Sequence, residues 1–239
     1  ILLAARPAMG KSTFMMNIAS NVAKQGYSVA IFSLEMSREQ LITRMLSSDA
    51  LIQGSQLRTG NLSVDDWTKL AVSAQTIAQM PMYIDDTAGI TVAEMKAKLR
   101  RIPNLGLVVI DYLQLMSSGR RIENRVQEVS EMTRGLKIMA KELDVPIITL
   151  SQLSRGPDKR MGDHRPVLSD LRESGSIEQD ADLVLFLYRD EYYNEDTEDK
   201  GVAEVIVAKN RHGATDTVKL AFDGEHTRFL SRELFRDAP

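Results

Sequence analysis

The sequence predicts an α/β fold: a mainly parallel sheet flanked by helices on both faces, with an antiparallel edge near the C-terminus. Three observations carry that expectation. Apolar runs of strand length recur with little polar alternation, as in strands covered on both faces. These runs alternate with stretches of helical periodicity, some opening on capping-box patterns. A glycine-containing loop joins the first strand to the first helix, where a parallel α/β sheet is built to receive phosphate.

Taken in order, Ile1-Leu2-Leu3-Ala4 reads as a buried strand. Because the chain is already inside a strand at its first residue, the natural protein is expected to begin further upstream. Phe14, Met15, Ile18, Ala19, Val22 and Ala23 then recur at helical spacing, and Gly26 supplies the stop. Val29–Ser33 is the second strand. Ser37-Arg38-Glu39-Gln40 opens a helix as a capping box, and Thr91-Val92-Ala93-Glu94 opens another after the strand Met82–Asp85. Asp85 and Asp86 read as turn residues at that strand end. Leu107–Ile110, Pro146–Leu150, Leu183–Tyr188 and Glu204–Ala208 read as further buried strands of the same sheet. Thr217–Phe222 and Thr227–Leu230 read as the antiparallel edge.

A chain of 239 residues that is 43% hydrophobic supports one sizeable core, so residues 1–239 are treated as a single domain. No apolar run approaches the ~20 residues of a membrane span, and no signal-peptide pattern is present. With no cysteine there is neither a disulfide framework nor a thiolate zinc site. His164, His212 and His226 lack ligand spacing and read as surface or packing residues. The net charge of −3 gives no global attraction to nucleic acid, so any such contact must be local.

The chemistry begins at Ala5-Arg6-Pro7-Ala8-Met9-Gly10-Lys11-Ser12, which fits the phosphate-loop pattern at every fixed position but the first, where alanine replaces glycine. Ala8, Met9, Gly10, Lys11, Ser12 and Thr13 form the candidate nucleotide-binding segment. Gly10 lets the backbone turn its amides toward phosphate, Lys11 reaches the β and γ phosphates, and Ser12 offers its hydroxyl to magnesium. Asp111 ends an apolar strand; alone it would read as a cap or turn residue, but beside a phosphate loop it reads as the magnesium partner. Glu35 is the candidate catalytic base at the end of the second strand, with a helix-entry carboxylate beside Ser37 as the alternative. Gln152, ending the Pro146–Leu150 strand, can sense the γ phosphate. The loop from Leu153 to Gly175 holds Arg155, Lys159, Arg160, Arg165 and Arg172 against nearly equal acidic charge and contains no Phe, Tyr or Trp. It reads either as a solvated loop or as one that grips DNA phosphates without base stacking.

These motifs, in order, resemble the DnaB family of replicative helicases. The likeness is carried by Ala4-Ala5-Arg6-Pro7 before Gly10-Lys11, Phe32-Ser33-Leu34-Glu35-Met36, Ile110-Asp111-Tyr112-Leu113-Gln114 and Ser151-Gln152-Leu153-Ser154-Arg155. It continues through Ser169-Asp170-Leu171-Arg172-Glu173-Ser174-Gly175 to Asp182, and through Ala208-Lys209-Asn210-Arg211. The resemblance implies a RecA-like P-loop NTPase fold, with ATP and Mg2+ as cofactors. It implies that Lys11 and Ser12 bind nucleotide and metal, that Glu35 is the base, that Asp111 supports magnesium and that Gln152 is the sensor. It further implies that Arg172, Glu173 and Gly175 touch the DNA backbone, and that Lys209 and Arg211 reach a neighbouring subunit's nucleotide. The implied partners are single-stranded DNA, a homo-hexamer and, for the full-length protein, a primase and a helicase loader. The implied setting is the cytoplasmic replication fork, away from membranes. Ala5 departs from the formal pattern, and the stretch from Arg101 to Leu105 is short for the family. The family's N-terminal collar and linker helix are expected to lie outside residues 1–239. A RecA-like recombinase and a nucleotide-gated loader are the rival expectations.

Overall fold

The structure, a computed structural model, describes residues 1–117, 119, 125–171 and 175–232. Among these residues nine strands form one sheet in the order β3-β2-β4-β5-β1-β6-β7-β8-β9. β1 (Leu2–Ala5), β2 (Ser28–Ser33), β3 (Met82–Asp85), β4 (Leu105–Asp111), β5 (Ile147–Gln152) and β6 (Leu183–Tyr188) are mutually parallel. β7 (Val202–Asn210), β8 (Thr217–Asp223) and β9 (Arg228–Ser231) continue the sheet antiparallel.

The parallel strands are apolar at successive positions because both of their faces are covered. Leu2, Ala4, Ala30, Phe32, Val108 and Ile110 point into one core, against α5 (Val92–Leu99) and α6 (Arg125–Leu143). Their strand neighbours Leu3, Val29, Ile31, Leu107 and Val109 point the other way, against α1 (Lys11–Lys24) and α2 (Arg38–Ala50). A period of two thus feeds two cores from one strand. Both expected capping boxes are present: Ser37 with Gln40 opens α2, and Thr91 with Glu94 opens α5. Gly26 follows α1 at φ 86°, in the left-handed region that suits a glycine stop.

The expectation is corrected at β7, which covers the Glu204–Ala208 run. It runs antiparallel to β6, and only its first four residues, Val202, Ala203, Glu204 and Val205, are buried while the rest is half-covered. No α-helix separates it from β6 among the described residues, so the chain reverses where a parallel return would need a crossover. The structure adds α3 (Gly54–Thr59), α4 (Val64–Gln79) and α6, the last burying Val129, Met132, Leu136 and Met139 at helical spacing. In α4 Trp67, Leu70, Ala74 and Ile77 recur at helical spacing, yet Ser73 is its one fully buried residue.

Candidate functional site

The phosphate loop occupies the turn between β1 and α1. Gly10 sits at φ 93°, and a Cβ there would lie 2.9 Å from the Phe229 ring and 3.2 Å from Phe222. Both conformation and space therefore require glycine. Ala8 is also left-handed, at φ 66°. The Met9 side chain is buried with Leu187, Ala203 and Val205, so this residue has only its backbone to offer a phosphate. Ala8, Gly10, Lys11, Ser12 and Thr13 all line a cavity of about 640 Å³, together with Glu35 and Gln152.

β4 delivers Asp111 into this site fully buried. Ser12 Oγ donates to Asp111 Oδ2 at 2.8 Å, and Lys11 Nζ lies 3.7 Å from Oδ1. Among the described residues Asp111 Oδ1 has no hydrogen-bond partner. Lys11 also stands over the Tyr112 ring, 4.9 Å from its centre. Burial holds the Lys11 ammonium below its ordinary pKa; the charges of Asp111 and Glu35 oppose that shift without overcoming it.

Glu35 lies two residues beyond the end of β2, rather than at the strand end itself, and is exposed on the cavity wall. The helix-entry alternative is filled by other residues, since Ser37 and Gln40 form the cap of α2. Gln152 is the last residue of β5 and pairs in register with Ala5, which brings it to the same cavity. Asp85 and Asp86 behave as turn residues: Asp85 accepts from Thr87 N and pairs with Lys98, and Asp86 accepts from Arg38 N.

The loop after β5 is an internally bonded unit. Arg160 forks onto buried Asp170, with both oxygens at 2.6 Å, and Arg165 forks onto buried Glu204 at 2.7 and 2.9 Å. These two arginines are engaged within the chain, while Arg155 and Lys159 are exposed. The tertiary structure also supplies aromatic groups the loop lacks. Tyr193 stacks on His164 at 4.3 Å and donates to Asp158, which Arg6 of the phosphate loop holds by a two-point contact. Arg172 and Glu173 lie outside the described residues, and Gly175 begins the short helix α7 (Gly175–Asp180).

Lys209 and Arg211 are not brought to this cavity. In register, Lys209 stands opposite Val184 near the start of β6, which lies beside Leu2, whereas the phosphate loop follows Ala5 at the other end. Lys209 Nζ donates to the Glu178 carbonyl at 2.6 Å, and Arg211 pairs with Asp182 at 3.0 Å. The hairpin that carries them joins β7 to β8 inside the sheet; the edge strand is β9. Sequence reasoning also misses Arg189, whose Nη1 donates to the Ala8 carbonyl at 3.2 Å, and the Phe222–Phe229 pair against Gly10. Neither carries a local motif, so only the folded chain reveals them.

Residues 1–231 match the family described as the DnaB-like helicase C terminal domain. The chain belongs to this family. It is 55% identical over 238 residues to the replicative DNA helicase DnaC of Bacillus subtilis (strain 168), a match covering 98% of this chain and 52% of that protein. It is 54% identical, with the same coverage, to the replicative DNA helicase DnaB of Geobacillus stearothermophilus. This DnaB-like domain spans about half the length of the curated relatives it matches. Among solved structures, one described as an ATPase domain superimposes with a TM-score of 0.94 at 41% identity, covering 97% of this chain and 84% of that one. A DnaB-like replicative helicase described with its primase interactions matches at the same TM-score and identity, covering 97% of this chain and 57% of that one.

Proposed function

We propose that this chain is the ATP-hydrolysing motor of a replicative DNA helicase, working as a homo-hexameric ring that moves on single-stranded DNA and separates the duplex. The observation that carries the reading is the union, at one cavity, of a left-handed phosphate-loop glycine, a largely covered lysine and a serine bonded to a buried aspartate. Family membership supports it.

Lys11 holds the β and γ phosphates, and the loop amides opened by Gly10 surround them. The Ser12 hydroxyl and Asp111 carboxylate suit a hard cation, and Asp111 Oδ1, which accepts no hydrogen bond and has only the Lys11 ammonium at 3.7 Å, is an acceptor of the kind such an ion satisfies. Among the described residues no group of three His, Cys, Asp or Glu could hold a metal alone. That donor set fits Mg2+, which shares its coordination with phosphate and water, and when bound the ion neutralises charge on the phosphates. Glu35 orients a water opposite the γ phosphate and takes its proton. Gln152 reads the γ phosphate and passes its state to the loop that follows β5.

Arg172, Glu173 and Gly175 contact the DNA backbone, so binding is sequence-tolerant and salt-sensitive. Lys209 and Arg211 act on the nucleotide of the adjacent subunit; their distance in register from this chain's own loop supports a role in trans. The full-length protein engages a primase and a loader at the cytoplasmic replication fork. No helix among the described residues is long and apolar enough to cross a membrane. The reading is tested by measuring ATP turnover with and without single-stranded DNA, fork unwinding, and mass in solution with nucleotide. Absence of turnover in every assembled state overturns it, and strand exchange without unwinding replaces it by a recombinase.

A further inference from the structure

Arg189 belongs to none of the motifs above, yet it is the group that grips the phosphate loop from outside. It follows β6 directly, and its side chain is 16% exposed. Nη1 donates to the Ala8 carbonyl at 3.2 Å, Nε donates to Glu191 Oε1 at 3.0 Å, and Nη2 bonds the same oxygen. Glu191 is itself anchored, because its Oε2 accepts from Gly201 N at 2.7 Å just before β7. The guanidinium lies 3.9 Å from the centre of the Phe222 ring, which packs with Phe229 over Gly10. Arg189 is thus held by Glu191 and by the Phe222 ring, with Nη1 aimed at the loop.

Ala8 needs such support. It carries a Cβ and stands at φ 66°, a region L-residues enter at a cost unless their surroundings impose it. Ala8 lines the cavity while Arg189 does not, so the hydrogen bond draws the Ala8 carbonyl toward a group behind the cavity wall. A carbonyl turned into the cavity would set its negative end against phosphate oxygens, whereas one held behind the wall leaves the adjoining amides facing them. We propose that Arg189 is a positioning residue for the phosphate loop, fixing the Ala8 carbonyl away from the ligand so that the loop is shaped for the nucleotide's β and γ phosphates before they arrive. The inference rests on the nucleotide reading of this cavity.

The test compares the unaltered protein with R189A, R189K and E191Q, titrated with ADP and with inorganic pyrophosphate and assayed for ATP turnover and thermal midpoint. R189A is expected to weaken ADP and pyrophosphate alike by about tenfold and to raise KM for ATP by a similar factor, with kcat changed by less than about twofold. R189K recovers only part of the loss, because an ammonium cannot hold Glu191 by two N–H groups and reach Ala8 as well. E191Q keeps the guanidinium but loosens its anchor, and a smaller loss of about threefold is expected. A purely structural role would lower the thermal midpoint while leaving pyrophosphate affinity of the folded protein unchanged, and that result overturns the proposal. Full recovery in R189K overturns it too. Should R189A not fold, unchanged ADP and pyrophosphate affinity in E191Q is the refuting result. If the unaltered protein binds neither ligand, the nucleotide reading itself is lost; if it binds both and R189A binds them equally, only the role of Arg189 is.

Discussion

Four arginines at the cavity end of the sheet and two cations at its opposite end are held in different ways. At the cavity end, Arg6, which lines the cavity, and Arg160, Arg165 and Arg189, which do not, each make a two-point contact with a carboxylate, and Asp170 and Glu204 among those carboxylates are buried. At the opposite end, Lys209 rests on carbonyls of α7, and Arg211 is about half exposed on Asp182, itself 36% exposed and shared with Lys137. Releasing an arginine from a buried carboxylate leaves that charge without its partner, which costs several kcal/mol. Releasing Arg211 exchanges one solvent-screened pair for another. The contrast separates guanidiniums that are scaffold from those available for delivery to another molecule. On the proposed reading, it also accounts for a chain that holds its own phosphate site but needs a neighbour for hydrolysis.

The largest effect is expected when the two ends are divided between subunits. Arg211→Ala should lower ATP turnover in the assembled protein by about 10³ while leaving ADP binding intact. Lys11→Ala should abolish turnover through its own pocket. Mixed under conditions that allow subunit exchange, the two variants should regain activity, because some junctions then pair an intact cavity with an intact arginine. Exchange without recovered hydrolysis, or full activity of Arg211→Ala alone, would show that the far end contributes nothing to the neighbour.

Glu35→Gln comes next, with a loss of turnover on the order of 10² and nucleotide binding preserved, measured as kcat beside the dissociation constant for ADP. A normal rate would return Glu35 to the role of a surface carboxylate beside the α2 cap.

A third test sharpens the distinction between scaffold and available charge. Arg160→Ala should lower stability by about 2–3 kcal/mol, seen as a reduced denaturation midpoint, since it strips buried Asp170 of its partner. It should leave the salt dependence of single-stranded DNA affinity unchanged. Arg155→Ala, at an exposed position of the same loop, should instead reduce that logarithmic slope by about 0.7 with little effect on stability. The reverse outcome would mean that Arg160 leaves Asp170 to hold phosphate.

The smallest effect concerns proton uptake. Burial lowers the Lys11 ammonium pKa in the free protein, and phosphate charge raises it again when nucleotide binds. Between those two values binding takes up a proton, so ADP affinity should fall as pH rises through the lowered Lys11 value. Without nucleotide the sign for folding is opposite. The unfolded chain binds the proton more tightly, so this group's contribution to stability improves as pH climbs from the lowered value toward that of an ordinary lysine. Calorimetry in buffers of different ionisation enthalpy reads the proton; equal heats after correction would place Lys11 outside the phosphate contact.

Much of this molecule is determined locally. Strand positions follow from apolar runs such as Leu183–Tyr188, and the caps of α2 and α5 follow from spacings of three residues. Lys11, Ser12, Glu35, Asp111 and Gln152 gather at one site because each stands in or just after a strand-end segment of a parallel sheet, and those ends converge on one edge. What the sequence by itself could not determine depends on contacts between distant segments. The direction of β7, the commitment of Arg160 and Arg165 to internal carboxylates, the Arg189–Ala8 bond and the seating of Phe222 and Phe229 on Gly10 all join residues whose spacing carries no periodic signal. An arginine in a loop looks the same in sequence whether it is bound for a phosphate or for a buried aspartate. Only the folded chain, by bringing one carboxylate out of water and leaving another in it, decides which.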